Sequence, residues 1–210
     1  MNRFSRQKGL ADFSSTSVLI VGVGGVGSYS AIQLAEMGVG RLILFDWDVV
    51  EECNLSRQPF FEKSVGRKKV LELKKMLNRI NSRVEVEVHS EKFNGEESLN
   101  VDFVLDGSDN REARLAIGKF SERNGVPWIF CGVKEFEFMI STFIPGKAIP
   151  FSKWKSVGSG GCVRVTASTV MAASSLQVSE LIALMKGKPN FEGFILYSDL
   201  RSMIFKKVKI

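Results

Sequence analysis

The sequence predicts an α/β fold: a Rossmann-like, mainly parallel sheet with helices on both faces and antiparallel strands in its C-terminal part. Three observations carry this. Residues 18–21 are an unbroken apolar and β-branched run, as suits a strand covered on both faces. That run breaks into GVGGVG at 22–27, where Gly22, Gly24, Gly25 and Gly27 allow a sharp turn, close approach to a phosphate and tight helix-on-strand packing. Apolar runs then alternate with helical patterns for about another hundred residues.

With 210 residues and 44% hydrophobic content, the chain is long enough for one core. A single domain over 1–210 is expected, divided into an N-terminal helical arm (1–16), a nucleotide-binding core (17–131) and a C-terminal part (132–210). No stretch approaches the roughly 20 apolar residues of a membrane span, and the N-terminus is polar, so a soluble cytoplasmic chain is expected. Cys53, Cys131 and Cys162 are odd in number and never in CxxC spacing, which supports neither a disulfide framework nor a zinc knuckle. The net charge of +6 suits an anionic ligand; no nucleic-acid motif accompanies it. No acidic residue falls between Glu137 and Glu180, while Lys147, Lys153, Lys155 and Arg164 do, which reads equally as a basic lip near the site or as an ordinary solvated loop.

Residues 25–37 form the helix that opens in the glycine loop, aiming free N–H groups and a positive dipole end at an anion. The second strand, 41–45, ends in Asp46-Trp47-Asp48. Asp46 lies 19 residues beyond Gly27, near where such units place an acid on a ribose hydroxyl. Residues 49–64 show no period, and Pro59 opposes a helix through them. Between 66 and 81, Val70, Leu73, Met76, Leu77 and Ile80 form an apolar stripe. Lys69 sits at its edge in the first turn, where a cation opposes the helix dipole; it has either an anion to meet or a stem that snorkels along apolar surface.

Residues 83–89 alternate as a strand; His89, on it, is expected to lie away from the functional loops. The strand 102–105 leads into DGSDN, with Asp109 a candidate N-cap of a helix over 110–124 and Glu112 three residues on. An acid at the carboxyl end of a parallel strand is also where such sheets hold Mg²⁺ on a triphosphate. Strand 127–132 and an antiparallel segment 135–143 follow. A loop at 145–162, a helix at 165–186 and two antiparallel strands at 191–197 and 203–210 complete the chain.

Taken together, RFSRQ (3–7), VLIVGVGGVGS (18–28), FDWDVVEECNLSRQ (45–58), VGRKKV (65–70) and DGSDN (106–110) resemble the ThiF/MoeB/HesA adenylyltransferases, relatives of ubiquitin-activating enzymes. The resemblance implies ATP-dependent adenylation, with Mg²⁺ and release of pyrophosphate, of the C-terminal glycine of a ubiquitin-like sulfur-carrier protein ending in Gly-Gly. It assigns Asp46 to the ribose, Asn54, Arg57 and Lys69 to the phosphates, and Asp109 to the metal or its water. Asp48, Gln58 and Asn110 lie inside the matching blocks and join the candidate nucleotide set. Arg6 matches an arginine that, in homodimers of the family, reaches the neighbouring subunit's phosphates. Many relatives hold zinc with two CxxC pairs; this sequence has PFSKW at 150–154 and no second pair, so no zinc is expected. Cys162 is a candidate acyl- or sulfur-accepting thiol, ahead of Cys53 and Cys131. A nicotinamide-dependent oxidoreductase, which the glycine loop and Asp46 also fit, and a non-catalytic nucleotide-binding scaffold are the alternatives; neither nucleic acid nor a membrane is an expected partner.

Overall fold

The computed structural model describes residues 3–147, 151–154 and 164–210. Eight strands form one sheet: β1 (Ser17–Val21), β2 (Arg41–Phe45), β3 (Glu85–His89), β4 (Phe103–Asp106), β5 (Trp128–Lys134), β6 (Glu137–Phe143), β7 (Phe194–Asp199) and β8 (Ile204–Lys209), in the order β3-β2-β1-β4-β5-β6-β7-β8. The first five are parallel and the last three antiparallel, as the alternating and then hairpin-like sequence pattern leads one to expect.

Helices cover both faces. On one side α1 (Gly25–Met37), α2 (Lys69–Ile80) and α4 (Ala167–Met185) pack over Val18, Ile20, Leu42, Leu44 and Ile129. On the other, α3 (Arg111–Asn124) covers Leu19, Ile43 and Val104, and an aromatic group of Phe93, Phe120, Trp128, Phe130, Phe143 and Phe151 fills the space beside it. The predicted stripe of α2 is the buried one: Val70, Leu73 and Leu77 are fully enclosed.

Four expectations need correction. Residues 3–10 are a series of turns rather than a helical arm. Their docking is tertiary: Gln7 Nε2 donates to Met37 O at 2.7 Å, and the Phe4 ring lies against Gly38 at the C-terminal end of α1. The cap of α3 is Asn110, whose side chain accepts from Ala113 N at 2.9 Å, so Asp109 lies one residue outside the cap. His89 is not remote: its ring stacks on Phe45 at 4.2 Å, and its carbonyl accepts from Asp46 N. Finally, α4 is long and apolar enough to cross a membrane. It is instead seated on the sheet, where Gln177 donates to Asp106 O and Ile129 O, and Glu180 accepts from Thr142, Asn190 and Phe191. Buried polar side chains with every partner inside the protein mark it as a core helix.

Candidate active site

The order β2-β1-β4 reverses the chain's direction of travel across the sheet, and a crevice opens at the carboxyl ends of β1 and β4. There Gly22 turns with φ +85°, and its backbone lies so close to Gly107 that a Cβ on Gly22 would stand 2.7 Å from Gly107 O. A Cβ on Gly27 would stand 1.9 Å from Gly22 O, so the loop folds tightly back on the helix it starts. Gly24 differs: the nearest atom to a Cβ there is Gln58 Nε2 at 3.7 Å. Gly24 is also the N-cap of α1, which has no capping side chain and no acid in its first turn. The positive end of α1 therefore faces an open cleft of about 1450 Å³.

Asp46 follows β2 and is buried. Its Oδ2 accepts from Val23 N in the glycine loop and its Oδ1 from Asp48 N, both at 2.8 Å. Burial pushes its carboxyl above the ordinary value, opposed by the Lys69 ammonium and the two backbone N–H groups. Lys69, the first residue of α2, is buried as expected from its place on the stripe, and its Nζ donates to Asp48 Oδ2 at 2.8 Å. Beside them Trp47 is exposed, with Lys92 Nζ 5.2 Å from its ring centroid.

Residues 51–58 form the next wall. A 3-10 turn (Glu52–Asn54) is capped by Glu51 and Asn54, Asn54 Oδ1 accepting from Glu51 N. Arg57 Nη1 donates to Cys53 O, and the buried Gln58 amide carries an Oε1 without a hydrogen-bond partner. Opposite stand Asp109, exposed, and Asn110. Except for Val23 and Glu52, these residues line one cleft with Gly22, Gly24 and Gly25; Gly27 lies behind it in the loop.

One candidate among the described residues is exposed and far from this cleft. Arg6 is exposed in the N-terminal turns and lies outside its lining. Cys162 lies outside the described residues, as does Lys155 of the candidate basic lip. Among the other thiols, Cys53 is exposed on the cleft, while Cys131 is buried and its thiol is pushed up by desolvation, which disfavours the reactive thiolate.

Sequence reading missed the buried pair behind the site. Arg114 Nε donates to Asp106 Oδ2 at 3.0 Å, and its Nη2 to Ser108 O and Cys131 O, while its guanidinium covers the Phe130 ring. The pair braces the loop carrying Asp109. Helical spacing puts Arg114 on one face with Ile117, Phe120 and Ser121, the buried face of α3, and the acid at the end of β4 four residues before the α3 cap is the partner that the sequence offers.

A glycine with open space before it, an uncapped helix end and Arg57, Lys68 and Lys69 around them fit the phosphates of a nucleotide, and the unpaired Gln58 Oε1 can accept from one of its hydroxyl or amino groups. Fold and site together define a nucleotide-binding α/β protein of the Rossmann-like class. Within it, the chain belongs to the ThiF family, whose model matches residues 1–210. It is 40% identical over 154 residues to ubiquitin-like modifier-activating enzyme 5 of Gallus gallus, covering 65% of this chain and 39% of that protein. With the Dictyostelium discoideum protein of the same name it shares 37% over 153 residues, 64% of this chain and 40% of that one. The chain thus spans about two fifths of the length of these relatives. The fold matches the crystal structure of E. coli MccB with ATP at a TM-score of 0.84 and 20% identity, covering 100% of this chain and 71% of that one. PaaA matches at 0.81 and 23%, covering 94% and 65%.

Proposed function

We propose that the chain is an adenylyltransferase that activates the C-terminal carboxylate of a ubiquitin-like protein or peptide. The observation that carries this reading is the convergence of Arg57, Lys69 and Asp109 on the cleft that the uncapped α1 and Asp46 already suit to a nucleotide. Bound Mg·ATP would supply the adenylyl group and a pyrophosphate leaving group. The chain's part is positioning and charge, with no protein nucleophile required for this step. Asp46, fixed by two backbone N–H groups, retains lone pairs for ribose hydroxyls. The α1 N-terminus, the amide N–H groups of Asn54 and Gln58, Arg57 and Lys69 would bind phosphate oxygens, and Asp109, with Asn110 beside it, would hold the metal or its water. Gly-Gly-ending sulfur carriers of the thiamine and molybdopterin type are the first carriers to test, and Cys162 is the thiol to test for onward transfer.

Arg6 is assigned to a neighbouring copy's site. Phe4 and Gln7 fix its segment to the C-terminal end of α1, about 20 Å along a 13-residue helix from the cleft. A homodimer would bring it to the other subunit.

The test is ATP–pyrophosphate exchange stimulated by a Gly-Gly-ending carrier, with NADH binding followed by fluorescence in parallel. Stimulated exchange without NADH binding is expected; absence of exchange with every carrier, or tight NADH binding, overturns the reading. Arg6→Ala and Lys69→Ala should each reduce exchange by roughly 10²-fold or more. Mixing the two variants should restore part of it, because each mixed dimer has one site with both cations; a mixture as inactive as its parts removes Arg6 from the neighbour's site.

A further inference from the structure

We propose that Asp48 is a stand-in anion, holding Lys69 in the empty protein and releasing it when nucleotide phosphates arrive. The inference rests on the adenylation reading and deepens it. Lys69 is 6% exposed at the first position of α2, where the helix dipole repels a cation and few waters remain to solvate one. It therefore needs an anion whether or not a nucleotide is bound. Asp46 is close enough for the Lys69 ammonium to act on its carboxyl, but its place is fixed by Val23 N and Asp48 N, and the hydrogen bond from Lys69 Nζ goes to Asp48.

Asp48 answers the need from the other side. Its Oδ2 accepts from Lys69 Nζ at 2.8 Å, and its carbonyl accepts from Lys69 N at 3.1 Å. The two side chains are unequal: Lys69's is 7% exposed and Asp48's 43%. The cation is fixed and desolvated, while its partner already borders water and can turn into it at little solvation cost. An incoming phosphate thus competes with Asp48 for a charge that cannot move. Holding the empty site in order this way offsets part of the nucleotide's ground-state affinity, which by itself adds nothing to the chemical step.

Asp48→Asn keeps the shape and removes the charge. Dissociation constants for Mg·ATP and for tripolyphosphate are to be measured by calorimetry in the wild type, Asp48→Asn, Lys69→Met and the double variant, with near-UV circular dichroism as the check on folding. About fivefold tighter binding of both ligands by Asp48→Asn is expected, the scale of one half-exposed ion pair. The gain should vanish in the Lys69→Met background. The empty Asp48→Asn protein should also melt lower than the wild type and rise further on addition of ATP. Weaker binding, which would make Asp48 itself a nucleotide or metal ligand, overturns the proposal, as do unchanged affinity and a gain that persists without Lys69. If Asp48→Asn does not fold, Asp48→Ser carries the same comparison. Should wild type bind tripolyphosphate but not ATP, the adenylation reading fails, and the tripolyphosphate arm still decides the role of Asp48.

Discussion

The two walls of the cleft are held in different ways. On the side of β1, β2 and α2, three features are held before any ligand arrives: Asp46 by two backbone N–H groups, Lys69 by Asp48, the glycine loop by backbone contact with Gly107. On the side of α3, Asp109 is exposed, and its Oδ1 is touched by the Asn110 amide at 3.2 Å. The first wall is preorganised, and order there has been met by folding; the second presents an acid whose place a bound metal would set.

Substitutions at two glycines of one loop separate the folding role of the first wall from its binding role. Gly27→Ala forces a methyl onto Gly22 O and should cost on the order of 3 kcal/mol or more, read as a collapse of the thermal transition. Gly24→Ala meets nothing closer than 3.7 Å and should cost under about 1 kcal/mol, yet its methyl fills the space before α1 and should abolish nucleotide binding. Retained binding in Gly24→Ala would take the phosphates away from this loop.

The next effect is a pH dependence. The folded pKa of Asp46 lies above its unfolded value, so its contribution to stability is fully present below the unfolded pKa near 3.8 and is lost as pH rises through the folded one. At neutral pH the buried carboxylate is therefore a cost to the fold, retained because a charged acceptor binds hydroxyls better. Nucleotide affinity should fall as pH drops through the raised pKa, and that step should be missing in Asp46→Asn when binding is titrated by calorimetry. The smallest effect on the fold belongs to the open wall: Asp109→Asn should leave stability within about 0.5 kcal/mol while weakening Mg²⁺-dependent exchange. A marked loss of stability would mean that Asp109 is as built-in as Asp46.

The same contrast explains what could be read from the chain. The parallel half was legible because strands covered on both faces need continuous apolar runs, and α2 declares its buried side by period. Asp46 and the inward tilt of Lys69 follow from spacing alone. Groups that depend on a distant partner were not legible. Residues 3–10 follow the docking of Phe4 and Gln7 rather than local propensity, and Arg114, on the buried face of α3, is matched there by Asp106 of β4 and the carbonyls of Ser108 and Cys131. The cap of α3 moved by one residue, since Asp109 and Asn110 are both good caps and only the backbone chooses between them.

The contact between Gly22 and Gly107 has a genetic consequence. A Cβ on either meets backbone: Gly107 O at 2.7 Å in one direction, Gly22 O at 2.2 Å in the other. No change of a neighbouring side chain can make that room, so damage at either position should be recovered only by reversion. Gly25 offers the counterexample, since a Cβ there meets first the Val170 side chain at 2.6 Å. A suppressor search begun from Gly25→Ala should return smaller residues at 170, and one begun from Gly107→Ala should return glycine.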